Sequence, residues 1–320
     1  MHNFKRVLFL VIVLIVCTAV NSVLNYLLIP NNYVRIDIHN ITTNEYDDVF
    51  LGTSHGFAGI DPETVDAATG RKSINLCRGG EYTRDSYYML KLMCEHHVPK
   101  RVIYEFDPSY WTVKDTQQAD FTLIYREMPL SKTKAEYLFA KAMEADFRFT
   151  LFPWFAYRKQ VLNIRGVVEG KQTKDYQTYG VQAFDTAGQA FQPNGFMYRK
   201  RTGEVKKQLD YEPWSLTHME KNSLKYFVRL AKFCKARGIE FVAITTPIPD
   251  VTYRDYQSLY DNAYQYFDQL TDQFDVTYYN FNEPEVTKET WTLDKFADYE
   301  GHMYGDSAKV FSRELADVLK

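Results

Sequence analysis

An apolar segment near the N-terminus places the strongest constraint on how this chain folds. Residues 7–20 are all apolar or small except Thr18, and the apolar character continues to Ile29, where Pro30 follows. At a rise of 1.5 Å per residue, a helix of about 23 residues crosses the ~30 Å hydrocarbon core of a bilayer. The sequence therefore predicts a transmembrane anchor within residues 1–30 and a folded domain in residues 31–320.

The charged residues that flank this segment predict its orientation. Lys5 and Arg6 precede it, and no Lys or Arg follows until Arg35. Because cytoplasmic flanks carry an excess of Lys and Arg, we expect a cytoplasmic N-terminus and an extracytoplasmic domain. A cleaved signal peptide is the alternative. An uncleaved anchor is favoured because the apolar run is long for a signal peptide and no clear Ala-x-Ala site follows it.

The charge of the predicted domain excludes one class of partner. Residues 31–320 contain 36 basic and 41 acidic residues, a net charge of −5. A nucleic-acid partner would require a basic face, so none is expected. The domain is also rich in aromatic residues, since the chain has 25 Tyr and 22 Phe. These rings fit either an aromatic core or exposed rings that stack on sugars, and the sequence leaves both open.

The cysteines do not predict a metal site. Cys17 lies in the apolar segment, which leaves Cys77, Cys94 and Cys234 for the domain. None of them has the CxxC or CxxH spacing of a zinc site, so no metal and no cofactor are expected. One disulfide among the three remains open.

The hydrophobic pattern alternates between short buried strands and helices. Strands are predicted at 47–52, 73–76 and 101–106 in the first half and at 240–246 and 276–281 in the second. Helices are predicted from Asp61, at 87–96, 219–236, 253–274 and 306–319. This alternation predicts an α/β fold whose parallel sheet is covered by helices. Residues 112–215 lack clear periodicity and are predicted to form an insertion, as a lid or substrate platform.

The string Gly52-Thr53-Ser54-His55-Gly56 lies where the first strand gives way to a helix. A serine there projects from the carboxyl edge of the sheet, and the helix N-terminus offers free N–H groups to a developing oxyanion. The string also matches the G-x-S-x-G turn of α/β-hydrolases. In those enzymes the turn follows several strands, whereas here only about 20 residues separate it from the anchor. Ser54 must therefore lie on the first strand of the sheet.

A second polar block precedes the last predicted helix. It reads Asp298-Tyr299-Glu300-Gly301-His302. His302 is the candidate base for Ser54, and a carboxylate would hold its ring in the required tautomer. Asp298 is the preferred partner and Glu300 the alternative.

These two blocks, at opposite ends of the domain, resemble those of the SGNH (GDSL-type) hydrolases and transferases. The resemblance implies a three-layer, flavodoxin-like sheet with Ser54, His302 and Asp298 as catalytic residues. It also implies oxyanion donors at Ser54 and at Gly79 or Gly80, which follow the second strand. The family's third block carries an Asn that is absent here. Asp107 stands in that region, and an ionised Asp cannot donate. His55 and Asp107 are expected to be neighbours of the site.

Anchor, early serine, large insertion and late histidine together resemble one branch of this superfamily. That branch includes membrane-anchored D-alanyl-lipoteichoic-acid biosynthesis and alginate O-acetylation proteins. The resemblance implies a serine acyltransferase or esterase that acts on a cell-envelope polysaccharide or teichoic-acid-like polymer, beside a membrane-bound O-acyltransferase. A catalytically weak scaffold that binds the same partners is the alternative. Within the insertion, the basic cluster Arg199-Lys200-Arg201 fits a solvated face or a clamp for an anionic polymer.

Overall fold

The computed structural model of this chain describes residues 2–80, 82–112, 118–141, 144, 146–201, 205, 208–209 and 212–320. The protein chain forms two compact units. The sheet unit comprises Ile36–Gln117 and Phe184–Lys320, and the helical unit comprises Met1–Arg35 and Gln118–Ala183. Of the predicted insertion at 112–215, residues 118–183 thus group with the N-terminal helix, and residues from 184 onward belong to the sheet unit. Some residues of the predicted insertion lie outside the described residues, namely 113–117, 142–143, 145, 202–204, 206–207 and 210–211.

A parallel five-stranded sheet forms the centre of the sheet unit. Its strands are β1 (Asp48–Leu51), β2 (Ser73–Asn75), β3 (Arg101–Glu105), β6 (Glu240–Thr245) and β7 (Thr277–Asn280), in the order β2-β1-β3-β6-β7. In register, Val49 pairs with both Ile74 and Val102, and Ile103 pairs with Val242. Counted along the chain, this is the flavodoxin-like order 2-1-3-4-5. The α/β fold predicted from the sequence is confirmed. A small antiparallel pair, β4 (Gln189–Phe191) and β5 (Met197–Arg199), lies outside the sheet.

Helices cover both faces of the sheet. The described helices of the sheet unit and its junction are α2 (Tyr33–Thr43), α3 (Ser54–Gly59), α4 (Pro62–Thr69), α5 (Thr83–Met93), α6 (Ser109–Thr112), α12 (Lys221–Arg237), α13 (Asp250–Asp255), α14 (Gln257–Gln273) and α15 (Gly305–Leu319). On one face α15 packs on α3 and α4, with Phe50, Ile103 and Phe311 in its core. On the other face α12 packs on α5 and β6.

Aromatic rings fill the core beneath α12 and α14. Phe106 stacks on Phe267 with ring centroids 4.3 Å apart, and Trp111 packs edge-on to Phe227. All four rings are buried. Core packing, one of the two interpretations of the high aromatic content, therefore accounts for these four rings.

The predicted element boundaries are mostly within a few residues of those observed. Asp61 caps α4 by accepting from Glu63 N, with Pro62 at the first helical position, as expected. The predicted continuous helix at 253–274 is wrong, because Tyr256 (φ −122°, ψ 25°) leaves the helical conformation and separates α13 from α14. Helix α2 and the β4–β5 pair were not predicted. All four cysteines are free thiols.

The helical unit contains α1 (His2–Leu28), α7 (Gln118–Glu127), α8 (Lys132–Lys141), α9 (Phe147–Leu151), α10 (Ile164–Gln172) and α11 (Lys174–Gln177), with 3-10 turns at Pro153–Phe155 and Arg158–Asn163. Within α1, Phe4–Leu28 is a 25-residue apolar stretch, and its most apolar 18-residue window has a mean hydropathy of 2.9 and is not buried by the rest of the protein. By length and composition it can cross a membrane.

Candidate active site

Ser54 is held at the carboxyl edge of the sheet by a tight turn after β1. It is the first residue of α3, and Thr53 is the N-cap. Gly52 has a φ of +154°, and a Cβ there would lie 2.6 Å from Glu105 Oε2. The turn therefore requires glycine at position 52, which allows the backbone to approach β3 closely.

The structure brings Ser54, His302 and Asp298 into one hydrogen-bonded chain. His302 Nε2 lies 2.7 Å from Ser54 Oγ, and His302 Nδ1 lies 2.7 Å from Asp298 Oδ2. The predicted contact between Ser54 and His302, 248 positions apart in sequence, is present. If Nδ1 donates to Asp298, Nε2 is free to accept the serine proton, the arrangement of a Ser-His-Asp triad.

Asp298, rather than Glu300, lies closest to the histidine. The nearest oxygen of Glu300 is 3.9 Å from His302 Nδ1. Asp298 Oδ1 also accepts from the backbone N–H groups of Glu300, Gly301 and His302. Burial alone would raise the pKa of Asp298, but the hydrogen bonds and charge of His302, with Arg199, hold that pKa below its usual 3.8. Asp298 is therefore ionised at neutral pH.

The glycine loop after β2 lies beside Ser54. A Cβ on Gly79 would be 3.5 Å from Ser54 Cβ. No partner for the N–H groups of Ser54 and Gly79 is found among the described residues. The N–H of Gly80 instead donates to Tyr110 Oη at 2.9 Å. Of the two glycines predicted as oxyanion donors, the geometry therefore favours Gly79.

Two contacts fix this glycine loop. Arg78 N donates to Gly52 O at 3.1 Å, which ties the loop to the turn before Ser54. The Arg78 guanidinium forms a buried ion pair with Asp37 at 2.7 Å. Burial raises the pKa of Asp37 to about 6, although the Arg78 charge opposes the rise. Helix α2, which carries Asp37, thus supports the loop that offers Gly79.

His55 and Asp107, predicted as neighbours of the site, form a second histidine-carboxylate pair beside the triad. His55 Nδ1 lies 3.6 Å from Asp107 Oδ2, and its ring is edge-on to His302 with centroids 4.9 Å apart. Asp107 Oδ1 accepts from Ser109 N and Oγ. In every hydrogen bond that Asp107 makes with the described residues the carboxylate is the acceptor, so Asp107 does not supply a side-chain oxyanion donor.

Glu105 was missed by the sequence analysis and supports the turn that holds Ser54. It lies at the end of β3 and is fully buried. Its Oε2 accepts from Thr53 N at 2.7 Å and Thr53 Oγ1 at 3.0 Å. Burial raises the pKa of Glu105 well above its usual 4.5, and the Asp107 charge adds to the rise. Its position at a strand end next to Asp107 was the available signal.

Three side chains, each with a buried polar atom that has no partner in the part of the chain that the structure describes, line one cavity beside His55. The atoms are His55 Nε2, Thr246 Oγ1 and Tyr264 Oη. The three side chains line a common cavity of about 10 Å³. Since buried polar groups are nearly always hydrogen-bonded, this space suits about one water molecule.

Arg199 connects the β4–β5 pair to Asp298. Its Nη1 lies 3.6 Å from Asp298 Oδ2. Arg201, in the same basic cluster, pairs with Asp306 at the start of α15 at 3.0 Å. The cluster thus makes ion pairs within the unit, a role that neither sequence interpretation included. Elsewhere, the described residues contain no group of three or more His, Cys, Asp or Glu that could hold a metal ion.

Comparison with known proteins gives a distant structural likeness. No protein-family model and no curated protein matches this chain. Among solved structures, it is similar to a protein from Desulfitobacterium hafniense DCB-2 assigned to the G-D-S-L family of lipolytic proteins. The match covers 85% of this chain and 99% of that chain, at 9% identity and a TM-score of 0.40. At this level of similarity, function is inferred from the geometry of the site alone.

Proposed function

We propose that this protein is a membrane-anchored serine acyltransferase or esterase that forms an acyl-Ser54 intermediate. One observation carries the proposal: Ser54, His302 and Asp298 are joined by two hydrogen bonds of 2.7 Å at the carboxyl edge of a parallel sheet. A serine hydroxyl is a weak nucleophile at its ordinary pKa, and an adjacent base oriented by a carboxylate is the standard means of activating it.

In the first half of the reaction, Ser54 Oγ attacks the acyl carbon of an ester while His302 Nε2 takes the serine proton. The carbonyl electron pair becomes an oxyanion, which the N–H groups of Ser54 and Gly79 stabilise. The tetrahedral intermediate then collapses. The bond to the leaving oxygen breaks, His302 gives the proton to that oxygen, and the acyl group remains on Ser54. Throughout, ionised Asp298 stabilises the imidazolium.

In the second half, an acceptor hydroxyl replaces the departed alcohol. His302 takes its proton as the oxygen attacks the acyl-serine carbon, and collapse returns the proton to Ser54. A sugar hydroxyl as acceptor gives acyl transfer, and water gives hydrolysis.

We propose a cell-envelope glycopolymer as the acceptor or substrate. Support comes from α1, whose apolar stretch is long enough to cross a bilayer, and from Lys5 and Arg6 at its start. An extracytoplasmic site tethered at the membrane is held near lipid-linked acyl donors and nascent polymers, which raises their effective concentration. A membrane-bound O-acyltransferase is the partner that such a site would require if the donor is cytoplasmic.

The test compares ester-linked substituents on envelope polymers in cells that carry wild-type protein, Ser54→Ala or Ser258→Ala. Ser258 is an exposed serine on α14 and serves as the matched control. Loss of the substituents with Ser54→Ala alone supports transfer. Equal acylation in all three, with rapid hydrolysis of short-chain esters by purified wild-type protein, leaves a hydrolase. If neither activity depends on Ser54, the protein is a scaffold.

A further inference from the structure

Residues 146–172 of the helical unit, which we call the platform, pack on the last two turns of α1. Asn21 Nδ2 donates to Leu151 O at 3.1 Å, and Trp154 N donates to Asn25 Oδ1 at 3.0 Å. Lys171 Nζ donates to Tyr26 O, and lies 4.8 Å from the centroid of the Tyr26 ring. Backbone and side-chain bonds along residues 21–26 therefore fix the height of the platform on α1.

That height corresponds to one surface of a bilayer. Twenty helical residues span about 30 Å, so a hydrocarbon core that begins at Val7, just after Lys5 and Arg6, ends near Tyr26. The platform, bonded to residues 21–26, is then held at the level of the lipid headgroups. This step rests on the membrane anchoring that we propose for the protein.

The platform exposes apolar side chains that nothing covers among the residues described. Leu151 is 58% exposed, Phe152 41%, Val161 58% and Leu162 93%. All four lie on short elements, α9 and the 3-10 turn Arg158–Asn163, or directly beside them. Several large apolar side chains left exposed within one short segment mark a contact with a partner or a membrane.

The platform is also basic in an acidic protein. It contains five basic and two acidic residues, whereas the whole chain has a net charge of −3. The guanidinium groups of Arg148 and Arg158 lie 4.9 and 4.7 Å from the centroid of the Phe155 ring. Aromatic rings with basic groups beside exposed apolar residues are the composition that settles at a membrane interface and attracts anionic headgroups.

From this position, composition and charge we propose that the platform is a second membrane contact. It inserts its exposed apolar side chains into the headgroup layer of the leaflet where α1 ends, and the exposed side chains of Arg158 and Lys159 bind anionic lipids. Continuity with α1 is the reason to assign the surface to lipid rather than to a protein. The contact would restrict rotation of the helical unit about α1.

Spin labels on the full-length protein in phosphatidylglycerol-containing vesicles test this. Labels are placed at native Cys17 within α1, at Leu162→Cys and at Val98→Cys in the sheet unit. Cys94→Ser is present in every labelled protein, and Cys17→Ser is added when the label is at position 162 or 98. Cys77 and Cys234 are buried and are left in place. The readout is relaxation by oxygen, which concentrates in lipid, relative to relaxation by a water-soluble nickel chelate.

We expect the oxygen-to-nickel ratio at Leu162 to lie between that at Cys17, near the middle of the bilayer, and that at Val98, and to be several-fold above that at Val98, because a side chain inserted in the headgroup layer is partly shielded from water. The double variant Arg158→Gln/Lys159→Gln should lower the ratio at Leu162 in anionic vesicles and leave it unchanged in zwitterionic ones.

A ratio at Leu162 equal to that at Val98, with Cys17 in lipid, overturns the proposal and leaves the anchor intact. A water-like Cys17 overturns the anchor as well. A Leu162 label shielded only in native membranes, and water-accessible in pure lipid, identifies a protein partner and also overturns the proposal. Each of these outcomes leaves the Ser54 chemistry to its own test.

Discussion

Among single residues, Asp298 and Glu300 offer the sharpest comparison, because both carboxylates approach the same imidazole nitrogen. Asp298 is 2.7 Å from His302 Nδ1 and Glu300 is 3.9 Å away. Asp298→Asn should lower kcat/KM for a short-chain ester by about 10⁴-fold, since an amide does not hold the reactive tautomer or balance the imidazolium. Glu300→Gln, the matched control, should change it by less than about threefold. Steady-state ester hydrolysis decides, and a larger effect from Glu300→Gln would reverse the assignment.

Glu105 gives a prediction about stability and pH. Its pKa in the folded state is raised above 4.5, chiefly by burial. The folded state therefore binds more protons than the unfolded state, and the contribution of Glu105 is lost as the pH rises above 4.5. Glu105→Gln should remove this loss. The free energy of unfolding of the variant minus that of wild type should therefore be larger at pH 8 than at pH 5, by on the order of 1 kcal/mol.

Urea unfolding of both proteins at the two pH values measures this difference. Glu289→Gln, at an exposed glutamate paired with Lys295, is the control and should follow wild type. Parallel pH profiles for Glu105→Gln and wild type would show that Glu105 ionises normally in the folded protein.

At the scale of elements, the turn from β1 into α3 depends on a close contact between two strands. A Cβ at position 52 would lie 2.6 Å from Glu105 Oε2, in a backbone conformation that side chains rarely adopt. Gly52→Ala should therefore cost about 2 kcal/mol or more of folding free energy and displace Ser54.

Gly170→Ala is the matched control for that substitution. Gly170 lies in α10 with nothing within 4 Å of an added Cβ, so the change should be neutral or stabilising by up to about 1 kcal/mol. Thermal unfolding and ester hydrolysis measure both variants. If Gly52→Ala is as stable and active as Gly170→Ala, the turn does not require glycine.

Elements with strong local signals were predictable from the sequence, and elements made by distant contacts were not. The buried strands follow from short apolar runs, and the start of α4 follows from Asp61 and Pro62. The Ser54–His302 contact was predictable because two motifs bracket the domain. Helix α2 was not, because its support includes the buried Asp37–Arg78 ion pair, 41 positions apart.

The same limit applies to the site. Arg199 is one of three consecutive basic residues, and nothing local indicates that it approaches Asp298, 99 positions away, at 3.6 Å. Glu105 reads as an ordinary end of a strand until the position of Thr53 is known. Such partners are set by the folded sheet rather than by neighbouring residues.

At the scale of the whole molecule, the chain combines a sheet unit that contains the candidate triad with a helical unit that contains α1. Unit boundaries were hard to predict because the segment 118–183 groups with residues 1–35, which precede the first strand. Its bonds to Asn21 and Asn25 explain that grouping. Those asparagines read in the sequence as interruptions of an apolar helix.

The central claim is that Ser54 is an activated nucleophile, and active-site labelling tests it most directly. Full-length protein in lipid vesicles is incubated with a fluorophosphonate, and the modified peptide is identified by mass spectrometry. We predict an adduct on Ser54 in wild type, loss of that adduct with Ser54→Ala, labelling slowed about a thousandfold or more with His302→Ala, and normal labelling with Ser258→Ala. Folded wild-type protein that leaves Ser54 unlabelled, or labelling of Ser54 that His302→Ala does not slow, would contradict the account.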